Sequence, residues 1–248
     1  MAIQHGDSSV VKSEPHFVSR QTIDARRFYL DLDPEPGKSL TVVCGGVERM
    51  EPDYVVERAD FPYYAIELVS EGNGKLDLSG EVFNLARGVV FAYGPKTAHR
   101  IENVPPGVMR KYYLDFVGAE AKSLLQDAGL LDGRPLLIGR VTELTDLWEV
   151  IDREAHDDSD LSREIIRSLT RVLLLKVRQH RISDRADVPV AYRTYESVRE
   201  YMQNHYLTAT TIEQVAEACE ISPVYLSRLF KQYSGTGAYR FLLRLRMN

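Results

Sequence analysis

The chain has 248 residues, 44% hydrophobic and 27% charged, a balance that supports a packed core and excludes a disordered or fibrous polypeptide. Its two cysteines, Cys44 and Cys219, stand far apart without metal-ligand spacing, so a disulfide framework is excluded and a reduced, cytoplasmic protein is expected. The net charge is −5, and neither a signal sequence nor an apolar run of the roughly eighteen residues needed to span a bilayer is present, which argues against a membrane partner.

Residues 1–16 are polar and aperiodic and are expected to be a flexible lead-in. From Phe17 to Phe116 the texture is β. The segments RFYLDL, LTVVCGG, DYVVERA, YYAIELV, KLDLSGEVFNL, GVVFAYG and RKYYLDFVG are rich in β-branched and aromatic residues. Turn chemistry separates them, at Pro34-Glu35-Pro36-Gly37, Glu71-Gly72-Asn73-Gly74 and Pro105-Pro106-Gly107. Short strands without helical period between them imply an antiparallel sandwich or barrel.

Within this region Gly88, Pro95, His99 and Asn103 follow one another in an order that resembles the second signature of the cupin barrel. In cupin enzymes that histidine joins two further histidines and a glutamate around a metal. Here Arg58-Ala59-Asp60 stands where the paired histidines would be expected, so a metal is disfavoured and no cofactor is expected. His99 is then either a turn residue or a ligand contact. The polar and aromatic residues Arg58, Glu67, Tyr93, His99 and Tyr113 are the candidate lining for a small polar effector, sugars included. Which strand face points inward decides that choice.

From Ala119 the period becomes helical. AEAKSLLQDAGL ends near Gly129. The stretch from Thr142 to His156 carries Leu144, Leu147, Trp148 and Ile151 on one stripe, and SREIIRSLTRVLLLKVRQHRI follows with a helix start expected at Ser162. The stripe meets either its own barrel or its copy in a second subunit. In the second case Leu144, Leu147, Trp148 and Ile151 form a homodimer seam.

SDRADVPVA loses periodicity, which places a linker at 182–191 between a domain spanning 1–181 and a smaller one spanning 192–248. Tyr192 to Tyr206 reads as a helix with Tyr195, Val198, Tyr201 and Met202 facing inward. Thr211 with Gln214 makes a capping box. Val215, Ala216 and Cys219 give the helix it starts a narrow apolar face. After Ile221, Ser222 and Pro223 are a strong helix start, because proline at the first helical position lacks only an N–H that would have had no partner. This second helix turns Leu226, Leu229, Phe230 and Tyr233 inward and presents Val224, Ser227, Arg228 and Lys231. Two short helices joined so briefly cross steeply, the geometry that seats the second one in the major groove. Ser222, Val224, Tyr225, Ser227, Arg228 and Lys231 are the candidate DNA contacts, and an ordinary helical hairpin is the competing reading. Glu220 occupies the turn position where such motifs usually hold glycine. From Ile221 to Asn248 the charged residues are Arg228, Lys231, Arg240, Arg244 and Arg246, all basic, against an acidic whole. That asymmetry favours a phosphate backbone at this end of the chain. A last helix begins near Ala238, with Phe241, Leu242 and Leu245 as its apolar face.

On Tyr201-Met202, Asn204, Thr211 to Ala216, Ser222 to Lys231, Gly235, Phe241-Leu242 and Arg246, the stretch from Tyr192 to Asn248 resembles the AraC family of transcription regulators. The region before it is similar, more loosely, to that family's sensing domain. The resemblance implies an α+β chain made of a cupin-like antiparallel barrel followed by helices, then an all-α helix-turn-helix subdomain. It implies a regulator of double-stranded DNA that answers to a small-molecule effector, is often dimeric and is not an enzyme. By position Val224, Ser227 and Arg228 would face bases and Lys231 would lie nearer phosphates. Family members carry a second helix-turn-helix, and the chain stops at Asn248 in the connecting helix, so a longer parent protein is expected. The alternative is a metal-dependent cupin enzyme with a helical appendage.

Overall fold

The computed structural model describes residues 15, 17–35, 37–157, 159–183 and 188–247. The expected lead-in, save Pro15, and residues 184–187 of the expected linker lie outside the described residues.

Among the described residues eleven strands form two antiparallel sheets. The larger runs in the order β1 (Thr22–Tyr29), β2 (Thr41–Met50), β9 (Arg110–Val117), β4 (Tyr64–Glu71), β7 (Val89–Tyr93), β10 (Leu136–Ile138) and β11 (Arg181–Ser183). The smaller runs β3 (Val55–Arg58), β8 (His99–Asn103), β5 (Gly74–Leu78) and β6 (Glu81–Leu85). The expected single stretch KLDLSGEVFNL is a hairpin, because Ser79 and Gly80 at φ 55° and 91° turn the chain back. Left-handed backbone at both central residues matches the twist of the flanking strands. β8, β10 and β11 were not expected as strands; each is short, and pairing to a neighbour defines it rather than composition.

The two-residue period of β9 divides its side chains between two environments. Tyr112, Leu114 and Phe116 pack into the layer made with α1 (Ala121–Asp127), α2 (Val141–Ala155) and α3 (Asp160–His180). Lys111, Tyr113 and Asp115 face the barrel interior. The helical layer corrects the expected dimer seam. Leu144, Trp148 and Ile151 are at most 2% exposed, packed on the chain's own sheet, and Leu147 is half-buried against the same cluster. Trp148 Nε1 donates to the Tyr113 carbonyl at 3.2 Å, pinning α2 to β9. Full burial of an apolar side chain is worth about 1.5–3 kcal/mol, so Leu144, Trp148 and Ile151 are not available to a second subunit. α3 also starts earlier than expected, at Asp160 with Ser159 as its cap, the Ser159 hydroxyl accepting from the Ser162 N–H at 3.0 Å.

The remaining helices are α4 (Val190–His205), α5 (Ile212–Ala218), α6 (Pro223–Tyr233) and α7 (Ala238–Met247). β11 and the start of α4 occupy the two ends of the expected linker. The helical bundle docks on the barrel, so one apolar cluster runs from Leu76 and Phe91 through Leu137 and Tyr192 to Leu226 and Phe230. Gly88 shows why glycine stands at that junction. Its φ is +89°, and a Cβ there would come within 2.6 Å of the Tyr192 hydroxyl and 2.9 Å of the Ile138 carbonyl.

Candidate functional site

The helix-turn-helix is held by local hydrogen bonds that its sequence spells out. The Gln214 N–H donates to Thr211 Oγ1 and the Thr211 N–H to Gln214 Oε1, both at 3.2 Å, which completes the capping box. Ser222 Oγ accepts from the Tyr225 N–H at 3.1 Å, with Pro223 in the first turn. Glu220 at φ 56° takes the left-handed conformation that favours glycine, a strain of about 1 kcal/mol. Val215, Ala216, Leu226, Leu229 and Phe230 are at most 1% exposed, while Cys219 and Ile221 are half-buried. The opposite face of α6 is open. Val224 is 80% exposed, Ser222, Ser227, Arg228 and Lys231 are exposed, and Tyr225 is half-buried. The Arg228 guanidinium rests 5.1 Å from the Tyr225 ring centroid. A flat cation held on an aromatic face is oriented before it meets a base edge.

In the barrel, four of the five candidate effector residues line one small cavity. Arg58, Glu67, Tyr93 and Tyr113 border a space of about 40 Å³, together with Glu48, Tyr54, Lys111 and Asp115. His99 lies behind Tyr93, the rings stacked at 3.8 Å. Its Nδ1 is 3.1 Å from the Thr97 carbonyl and its Nε2 is 3.5 Å from Arg58 Nη1. Burial pushes the imidazole below its usual pKa, and the Arg58 charge works in the same direction. A cation added beside Nε2 would meet a guanidinium. Among the described residues no group of three or more His, Cys, Asp or Glu side chains gathers as a metal site.

Sequence reasoning missed Lys111, the centre of this cavity. Lys111 Nζ donates to Glu67 Oε2 at 2.6 Å and to the Tyr54 hydroxyl at 3.1 Å, and the Tyr93 hydroxyl donates to Glu67 Oε1 at 2.7 Å. Burial alone would raise the Glu67 carboxyl, but Lys111 and Tyr93 hold it below its usual range. The same carboxylate, with Tyr54 and Glu48, keeps the Lys111 ammonium charged against its own desolvation. Asp115 behaves oppositely. Burial, with Glu67 nearby, pushes it up to about 8 although the Cys44 thiol donates to it at 3.2 Å. A neutral carboxyl and a charged carboxylate thus share one cavity. The Tyr113 hydroxyl is buried and has no hydrogen-bond partner among the described residues. Lys111 and Asp115 were legible in RKYYLDF, since both sit two residues from Tyr113 and share its face. Phe17 closes the cavity, its ring edge-on to Phe61 and Tyr63 at 5.9 and 5.4 Å, and its carbonyl accepts from Arg58.

Comparison with known proteins joins these two halves. The model of the AraC-like ligand binding domain matches residues 44–187, and that of the bacterial regulatory helix-turn-helix proteins of the AraC family matches residues 202–242. The chain is 21% identical over 212 residues to the Msm operon regulatory protein of Streptococcus mutans, covering 84% of this chain and 76% of the relative. It is also 21% identical over 212 residues to the lactose operon transcription activator of Staphylococcus xylosus, covering 82% and 74%. Among solved structures it is similar to the AraC-like transcriptional activator CuxR, with a TM-score of 0.40 and 17% identity over 84% of this chain and 76% of that one. Among the described residues no helix is long and apolar enough to cross a membrane. With the ligand-binding model alone matching 144 residues (44–187), more than half of the chain, this protein belongs to the AraC family of transcription regulators.

Proposed function

We propose that the chain senses a small polyhydroxylated molecule in its barrel and reads duplex DNA through α6, without enzymatic turnover. The observation that carries this reading is the open face of α6, where Val224, Ser227, Arg228 and Lys231 stand exposed above a core that holds the helix rigidly. The domain that takes the effector extends to about residue 181, and the DNA-reading one begins at about residue 192. Two of the relatives are named as regulators of operons, one of them for lactose, which supports a sugar as the effector class.

The chemistry of the cavity supports the same class. Ionised Glu67 accepts, neutral Asp115 and the Tyr113 hydroxyl donate, and aromatic rings wall the space. Hydroxyl groups both donate and accept, so such a lining suits them better than it suits an anion or a cation alone. The space of about 40 Å³ holds little more than one water, so a sugar-sized effector must displace Phe17 and the two residues after it.

Dimerisation moves from the expected α2 stripe to the outer face of α3. Leu161 and Leu175 are 71% and 63% exposed, Val172 is 39% exposed and Ile165 half-buried. Ile165, Val172 and Leu175 follow Leu161 at the four-then-three spacing of a coiled-coil seam, with the small Ser168 between them.

Thermal unfolding of the full chain with pentoses, hexoses and disaccharides tests the sensing reading. A ligand at a hundred times its dissociation constant adds about 2.7 kcal/mol of stability, and Glu67→Gln should abolish that gain. A stabilising sugar whose effect survives Glu67→Gln would place its site elsewhere. Failure of every sugar would overturn the effector class.

A further inference from the structure

A second cavity, of about 800 Å³, lies between the barrel and α4. Phe83, Val89 and Leu137 from the barrel and Tyr192 from α4 make its apolar floor, each buried. Its inner polar wall is Arg87, Glu196 and Arg199, with side chains 16%, 22% and 14% exposed. Glu196 stands between the two guanidiniums. Arg199 Nη2 is 3.0 Å from Glu196 Oε2, and Arg87 Nη1 is 3.5 Å from Oε1, at the far limit of a hydrogen bond. Two half-buried cations therefore share one carboxylate, and the inner wall keeps an excess positive charge beside an apolar floor. The charges at the mouth balance. Glu81 pairs with Arg134 at 3.4 Å, both more than half exposed, exposed Arg193 and Glu200 carry opposite signs, and exposed Glu71 faces Arg110 at 4.0 Å.

We propose that this cleft binds a small carboxylate with an apolar body, its anionic group against Arg87 and Arg199 and its body on the Phe83–Leu137 floor. The size fits the roughly 300–1,000 Å³ of small-molecule sites, whereas the barrel cavity of about 40 Å³ does not in this state. A guanidinium fork matches a carboxylate bidentately, and the low dielectric of a half-buried wall strengthens the contact. Because the walls come from both domains, the occupant bridges the barrel and α4, the helix that supports the helix-turn-helix. The site is separate from the proposed sugar site, and either stands without the other.

Calorimetric titration of the full chain with octanoate and with octanol tests this assignment. Octanoate binds, and octanol binds at least about tenfold more weakly. Arg199→Gln weakens octanoate by about tenfold or more, and Glu196→Gln tightens it, because that change removes the carboxylate that competes for both guanidiniums while the Arg199–Gln203 hydrogen bond stays. Both substitutions break the same ion pair, so a merely structural role moves them in one direction. Asn84→Trp, at an exposed lining position on β6, blocks the cleft without touching the ion network and removes binding. The proposal is overturned if octanoate does not bind at millimolar concentration, if octanol binds equally, if both charge variants shift affinity the same way, or if Arg58→Gln in the barrel abolishes binding instead.

Discussion

Replacing Asp115 with asparagine should stabilise the protein at neutral pH, by a margin that vanishes as the pH falls toward 4. In the folded chain burial pushes this carboxyl up to about 8, against about 3.9 in an unfolded chain. Between those values the folded state holds a proton that the unfolded state has released, so stability falls as pH rises from about 4 to about 8 and is flat beyond. Each unit in that window costs about 1.4 kcal/mol, or about 2.7 kcal/mol between pH 5 and pH 7. Asparagine has the same shape, does not titrate, and offers Oδ1 to the Cys44 thiol in place of the carboxyl oxygen. Urea unfolding of both proteins at pH 5, 6 and 7 isolates the effect, since titrations common to both cancel in the difference. The stability difference should climb by about 1.4 kcal/mol per unit. A difference constant across the range would show that Asp115 is ionised in the fold and gives the cavity a further carboxylate rather than a donor.

Glu220→Gly should relieve the left-handed strain at φ 56°, adding about 1 kcal/mol and raising the melting temperature by about 2–4 °C; no gain would mean that the turn already accommodates glutamate. Arg228→Ala should relax sequence preference at one base pair by about 1–3 kcal/mol, and Lys231→Ala should weaken all duplexes alike and flatten the salt dependence by about one counterion. Competition binding at fixed salt separates the two, and equal loss of specific and non-specific binding on Arg228→Ala would return that arginine to an ordinary surface charge. Leu175→Glu, 63% exposed on α3, should give folded monomers by light scattering, whereas a dimer that persists would put the seam on another face.

What the sequence determined by itself is what depends on contacts a few residues long. The caps at Thr211 and Ser222, the first-turn Pro223 and the buried spacing of Leu226, Leu229 and Phe230 all close within one or two helical turns, so α5 and α6 and their open face were readable directly. The β texture and its turns likewise announced a barrel followed by helices. Tertiary structure decided which surface each stripe meets. Leu144, Trp148 and Ile151 describe an apolar face equally well whether a sheet or a second subunit covers it, and only the packing of α2 on β9 assigns them to the sheet. The partner of Glu67 was hidden for a related reason: Lys111 is distant in the chain and comes diagonal to it, two residues from its register partner Tyr113, only through the pairing of β4 with β9. Strand register is a long-range property, and a slip of one residue would have sent Lys111 and Asp115 outward and Tyr112 and Leu114 in. The cleft between barrel and α4 is further still from the sequence, because its walls belong to segments that separate stretches of chain bring together only on docking.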